Sequence, residues 1–178
     1  MVRAAAVAAP ALQLLLVLCA AAAAWAADDN AGLTKFKVYF HDVFGGPNPT
    51  AIRVAQAAST NGSSTSFGAV VAIDDPLTSE AASGSAEVGR AQGSYTFADQ
   101  KTLGLLMNMN FVFTAGEHNG SSLAIMGRNE VLSSVREMGI VGGTGKFRMA
   151  KGYVEARTVD SGAKSGETIV EYTLFVKA

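Results

Sequence analysis

Leu103-Gly104-Leu105-Leu106-Met107-Asn108-Met109-Asn110-Phe111-Val112-Phe113 is the stretch whose reading decides the fold. Leu103, Leu105, Met107, Met109, Phe111 and Phe113 fall on one parity and Leu106, Asn108 and Asn110 on the other. A period of two is that of a β-strand, whose successive side chains point to opposite faces. Two faces of different chemistry imply two environments. If Asn108 points inward, then Leu105, Met107, Met109 and Phe111 form an outward apolar stripe that a single domain cannot hide from water, and such a stripe marks an interface.

Working outward, the same alternation recurs in Phe36–Asp42, Glu87–Phe97, Ser122–Asn129, Lys151–Thr158 and Thr168–Val176. Phe67–Ile73 reads as a strand stopped by Asp74-Asp75-Pro76, and Arg136–Val141 as a short strand before the glycine-rich Gly142-Gly143-Thr144-Gly145-Lys146. Thr50–Gln56 fits a short helix or a strand equally. About eight strands, turn residues between them and no long helical pattern predict an all-β antiparallel sandwich or barrel. A barrel is favoured because closure removes the exposed edges on which sheets aggregate, and eight strands enclose room for one small ligand.

Within this frame one strand carries an oddity. Phe36, Val38, Phe40 and Asp42 share a face, so a carboxylate closes an apolar row. An unpaired buried charge is costly, so Asp42 must pair, reach a wet rim or keep its proton. Gly89, Ala91, Gly93, Tyr95 and Phe97 share a face with little side-chain volume before Tyr95. That face is either a bend packed on a neighbour's bulky residues or a pocket floor beneath a phenol. Ala150, Gly152, Val154, Ala156 and Thr158 form a second small-residue face.

Several function classes are excluded or disfavoured. The formal net charge is -1 and no Lys/Arg run is present, which argues against nucleic-acid and membrane-surface partners. Residues 1–26, with Arg3 ahead of an Ala/Leu/Val run and Ala24-Trp25-Ala26 at its end, read as a secretory signal peptide, leaving residues 27–178 as a single domain. The only cysteine, Cys19, lies in that leader, so the mature chain has no thiol chemistry, and its 13 basic residues stand against 15 acidic ones. Asn61-Gly62-Ser63 and Asn119-Gly120-Ser121 are acceptor sequons for glycosylation, as suits an extracellular protein. Gly142–Lys146 is a hairpin and not a phosphate loop, since Phe147 follows the lysine. No metal is expected: His41 and His118 are the only histidines, and alternation turns His41 away from Asp42. No cofactor is expected either.

Phe40-His41-Asp42, Asp74-Asp75-Pro76-Leu77-Thr78, Gly89-Arg90-Ala91-Gln92-Gly93-Ser94-Tyr95, Gly127-Arg128-Asn129 and Val141-Gly142-Gly143-Thr144-Gly145-Lys146-Phe147 occur in this order, and together they resemble the plant dirigent proteins from Phe36 to Val176. The resemblance implies an eight-stranded antiparallel barrel of the calycin and allene-oxide-cyclase type. It further implies a secreted, glycosylated homotrimer of the apoplast. Its implied function is stereoselective coupling of phenoxy radicals, such as those of coniferyl alcohol, toward lignans, with a separate laccase or peroxidase as the radical source. Some members of the family act on quinone methides instead and form pterocarpans.

By the same resemblance the catalytic residues are Asp42, Tyr95 and Arg136, with Asn129 and Thr158 at the substrate, and Asn108 joins them if its face is the inner one. Lignan-forming members that make pinoresinol carry an aspartate where this chain has Asn129, so Asp42 is expected to be the only pocket carboxylate. A competing reading is a non-catalytic secreted barrel that binds a phenolic or a carbohydrate, with Asp42 paired to Arg136. A role like that of allene oxide cyclase is a third, unsupported by any plastid leader.

Overall fold

A computed structural model of the chain describes residues 32–82, 84–161 and 166–178; the leader at 1–26 and Cys19 lie outside them. Nine strands are present among the described residues: β1 (Thr34–Val43), β2 (Ala51–Ala55), β3 (Val70–Thr78), β4 (Glu87–Phe97), β5 (Gly104–Phe113), β6 (Ser122–Glu130), β7 (Arg136–Thr144), β8 (Lys151–Asp160) and β9 (Glu167–Lys177). All neighbours run antiparallel in the order β1-β9-β8-β7-β6-β5-β4-β3, and β1 pairs with β3 to close an eight-stranded barrel. The ambiguous segment after the proline loop is β2, which pairs only with β3 and lies outside the closed ring.

Closure is uneven. β1 and β9 pair over ten registered residues, whereas β1 and β3 meet only at Tyr39↔Thr78 and Phe40↔Leu77. β3 does not stop at Asp74; it continues through Pro76 to Thr78. The proline is tolerated because Pro76 pairs with Arg90 of β4, while on the other side β2 ends its pairing at Ile73 and β1 begins at Leu77. A missing N–H costs no ladder bond there.

The orientation of β5 is the reverse of the one in which Asn108 lines the pocket. Leu105, Met107, Met109, Phe111 and Phe113 are buried inside the barrel, and Leu106, Asn108 and Asn110 are exposed outside. The physical reason is register: cross-strand partners share a face, and Tyr95, Ala91 and Gly89 of β4 stand opposite Met107, Phe111 and Phe113. The small-residue face of β4 is therefore the bend packed on bulky neighbours. Asn108 sits outside between Ser94 and Met126 and is not a pocket residue. The outer apolar residues here are fewer: Leu106, Met126 and Val141.

Close approach explains two glycines. A Cβ on Gly93 would lie 2.2 Å from the Asn108 carbonyl oxygen, and one on Gly152 would lie 2.0 Å from that of Phe175. Side chains there would force neighbouring strands apart and open the curvature that closure needs.

One end of the barrel is plugged. Phe36, Phe113 and Phe147 surround His118, with ring centroids 4.5–6.0 Å apart. Above the plug, Leu123, Val154 and Leu174 are fully buried. Each such side chain contributes about 1.5–3 kcal/mol relative to exposure. The opposite end is hollow.

Candidate functional site

A cavity of about 550 Å³ occupies the hollow end, within the range typical of small-molecule sites. Strand ends build it: Asp42 closes β1, Tyr95 nears the end of β4, Asn129 the end of β6, Arg136 opens β7 and Thr158 nears the end of β8. Five of the six residues that the sequence placed at the substrate thus meet in one chamber, and the exception is Asn108. Between the polar groups the walls are apolar, with Phe40, Val71, Leu105 and Met107 among them.

The polar groups form two clusters. In the first, the Tyr95 hydroxyl donates to Asp42 Oδ2 at 3.2 Å, and Asp42 Oδ1 is buried with no partner among the described residues. Burial pushes the Asp42 carboxyl up to about 6, and the bond from Tyr95 opposes that rise. Burial, with Asp42 beside it, raises the Tyr95 phenol well above its usual range. Asp42 is therefore a proton-holding acid that turns into a base within the ordinary working range of pH.

Asp42 is not alone. Asp75 is completely buried and lies near Asp42, past the point where the β1–β3 ladder ends at Phe40↔Leu77. The Thr50 hydroxyl donates to Asp75 Oδ1, while Oδ2 has no partner among the described residues. Burial pushes the Asp75 carboxyl up to about 8; Thr50 opposes this and the nearby Asp42 adds to it. Buried in an apolar setting with Asp42 nearby, Asp75 keeps its proton at neutral pH. Asp42 is the only carboxyl that lines the cavity, and Asp75, which does not line it, sits in a stretch that reads as a turn. Had β3 been continued through the proline, alternation with Val71 and Ile73 would have turned Asp75 inward.

In the second cluster, Arg136 Nε donates to Asn129 Oδ1 at 3.1 Å and Nη1 donates to Thr158 Oγ1 at 2.9 Å. Arg136 is only 5% exposed. No carboxylate pairs with it among the described residues, so the competing expectation of an Asp42–Arg136 ion pair fails. Desolvation lowers its basicity. Tyr172, wedged edge-on against Phe40 and Phe111, lines the cavity floor with its phenol held neutral by burial. Tyr172 shares its strand parity with Val170, Leu174 and Val176, and nothing in that pattern marks it as part of a site.

The remaining expected positions lie apart from the cavity. His41, buried on the outer face, bonds Glu167 through Nδ1 at 2.7 Å and Thr78 through Nε2 at 2.8 Å. Asn61, in a short helical turn, and Asn119 are both exposed. Among the described residues no three His, Cys, Asp or Glu side chains come together as a metal ion would need.

Comparison with other proteins agrees with this architecture. A family model described as Dirigent-like protein matches residues 33–177. Dirigent protein 21 of Arabidopsis thaliana is 50% identical over 144 residues, which cover 81% of this chain and 76% of that relative. Pterocarpan synthase 1 of Glycyrrhiza echinata is 49% identical over 144 residues, covering 80% of this chain and 77% of the relative. A solved structure of a pterocarpan synthase dirigent protein superposes with a TM-score of 0.74 at 47% identity, over 81% of this chain and 86% of that one.

Proposed function

Since the chain belongs to the dirigent family, we propose that its cavity holds phenoxy radicals and the quinone methides they form, coniferyl alcohol being the type of precursor, and fixes the handedness of the bond made between them. The radicals come from a separate laccase or peroxidase. The observation that carries this reading is the Asp42–Tyr95 pair in an otherwise apolar chamber.

Radical coupling needs no acid, and there the protein acts by holding two flat rings in one relative orientation. The quinone methide that results does need one. When a hydroxyl attacks its exocyclic carbon, a C–O bond forms, the displaced π electrons move to the ring oxygen and the ring becomes aromatic. The ring oxygen gains a proton and the attacking hydroxyl loses one. Protonated Asp42 donates the first, and the resulting carboxylate, stabilised by the Tyr95 hydroxyl, accepts the second, so the site returns to its starting state. Arg136, Asn129 and Thr158 hold a polar group of the substrate on the facing wall.

A second reading, cyclisation of a single quinone methide to a pterocarpan-like product, is favoured by the likeness to pterocarpan synthases and by Asn129, which leaves Asp42 as the only carboxyl lining the cavity. Oxidation of monolignols by laccase with and without the protein, alongside turnover of an isoflavanol, followed by chiral chromatography, tests both. An enantiomeric excess that Asp42→Asn abolishes is the expected result, and racemic product from every substrate would overturn the proposal. Retained ligand affinity with unchanged product in Asp42→Asn would instead indicate a binding barrel.

The chain is further proposed to be secreted to the apoplast, glycosylated at Asn61 and Asn119, and trimeric through the outer face near Leu106, Met126 and Val141. A mass loss on glycosidase treatment and a trimer in sedimentation are the expected results; an unglycosylated monomer would contradict them.

A further inference from the structure

A cation buried in an apolar wall normally has a carboxylate beside it, because desolvating an unpaired charge costs several kcal/mol. Arg136 breaks that rule. Its bonds go to neutral acceptors: the Asn129 amide at 3.1 Å, the Thr158 hydroxyl at 2.9 Å and, at the long distance of 3.5 Å, the Ser133 carbonyl. Nη2 has no acceptor among the described residues, yet it is not among the sealed, partnerless polar atoms, and Arg136 lines the cavity. Asn129 and Thr158, which accept from Nε and Nη1, line the cavity together with Arg136 and place the guanidinium at its wall, while Arg136 also borders a second, smaller pocket with Glu130 and Glu137.

The rest of the cavity leaves this charge uncompensated. Besides Arg136, the titratable side chains on its lining are Asp42, Arg53, Tyr95 and Tyr172. Both phenols are neutral, and Asp42 is engaged by Tyr95 in the other cluster. Arg53, at the mouth, donates to the neutral Gln56 side chain at 3.0 Å. A chain with a formal charge of -1 thus encloses a chamber whose fixed charge is positive.

We propose that the cavity selects an aromatic anion, a phenolic whose side chain ends in a carboxylate, over the corresponding uncharged alcohol, with the carboxylate received by Arg136 and the phenolic ring directed to Asp42 and Tyr95. The proposal rests on reading the chamber as a phenolic site. It adds the substrate's charge and its direction of entry. A guanidinium suits a carboxylate because its planar N–H groups match both oxygens, and the low dielectric of the site strengthens the contact. Anchoring one end by charge also explains how a single chamber could present one face of a flat ring.

Isothermal titration at neutral pH with 4-hydroxy-3-methoxycinnamate, its methyl ester and the matching cinnamyl alcohol tests this on the full mature chain. The acid is expected to bind at least about tenfold more tightly than the ester or the alcohol, as one charge-assisted hydrogen bond in a dry site allows. Asn129→Asp places a carboxylate beside the guanidinium and should shrink the acid-to-ester ratio to about threefold or less. Arg136→Gln should do the same; should that variant fail to fold, Asn129→Asp, which supplies the buried cation with a partner, still decides. Equal affinities in the wild type, or a tenfold preference that survives Asn129→Asp, overturn the inference. Stereocontrolled coupling of the alcohol without any preference for the acid would overturn it while leaving the coupling function intact. A preference for the acid combined with racemic products throughout would do the opposite.

Discussion

Replacing Asp75 with asparagine should stabilise the protein at alkaline pH and leave it slightly weaker in acid. The reference value for this carboxyl is 3.8 and the folded protein pushes it up to about 8, a gap of about four units. Between those values the folded state holds a proton that the unfolded chain has released, so stability falls as pH rises through the interval. It is fully present below the unfolded value and lost once pH passes the folded one. At about 1.4 kcal/mol per unit, the loss from pH 4 to pH 8 is on the order of 4–6 kcal/mol, a large fraction of a domain's stability. The introduced amide cannot titrate, and its carbonyl oxygen can still accept from Thr50. Its N–H groups, placed where Asp75 Oδ2 has no partner among the described residues, cost about 1–3 kcal/mol. The Asp75→Asn variant is therefore expected to be less stable than wild type by about 1–3 kcal/mol near pH 4 and more stable by about 2–4 kcal/mol near pH 9. Urea unfolding at a series of pH values, read at constant m, measures both. Curves that run parallel for the two proteins, or a variant still weaker at alkaline pH, would refute the claim that Asp75 is buried as a neutral acid.

Two further outcomes follow from distances in the site and the barrel wall. Tyr95→Phe removes the bond that opposes burial at Asp42, so the alkaline limb of product formation should move upward by about one pH unit; a limb that stays fixed or moves down would separate Asp42 from that limb. Gly93→Ala places a Cβ 2.2 Å from the Asn108 carbonyl oxygen and should cost at least about 3 kcal/mol in thermal or chemical unfolding, whereas a loss below about 1 kcal/mol would mean that β4 and β5 have room to separate.

The fold was legible because alternation survives along most of β4, β5, β6, β8 and β9, broken only near strand ends such as Val88 and Val159, and pattern is what a closed sheet demands of sequence. What alternation cannot supply is the sign of a face. Both parities of β5 are self-consistent, and only its pairing with Tyr95 on β4 sends Met107 in and Asn108 out. Asp42, Tyr95, Arg136, Asn129 and Thr158 were found as polar or special residues on otherwise apolar or small faces, or by family pattern. Asp75 was lost because aspartate, aspartate and proline in succession are turn residues in most chains. They form a strand here only because β3 borders an incomplete seam, a property of topology that no local pattern contains.

That seam also explains why the acids are where they are. The β1–β3 ladder ends after Phe40↔Leu77, and the backbone groups that would have continued it turn instead to Thr50. The Thr50 N–H donates to the Val43 carbonyl, the Asp74 N–H donates to the Thr50 carbonyl, and the Val43 N–H reaches Thr50 Oγ1 at 3.3 Å. Thr50 thus stands between two strands that would otherwise bring Asp42 and Asp75 face to face, and its hydroxyl caps the deeper of the two. On the outer surface of the same seam His41 ties β1 to Thr78 of β3 and to Glu167 of β9. The strands are therefore clasped outside and splayed inside at one level of the barrel. A complete ladder would have pressed the carboxyls together, and an unclasped one would have admitted water and returned both to ordinary acidity. Holding a protonated acid in an apolar chamber requires both departures from regular pairing, which is why the irregular closure of this barrel and its candidate chemistry coincide.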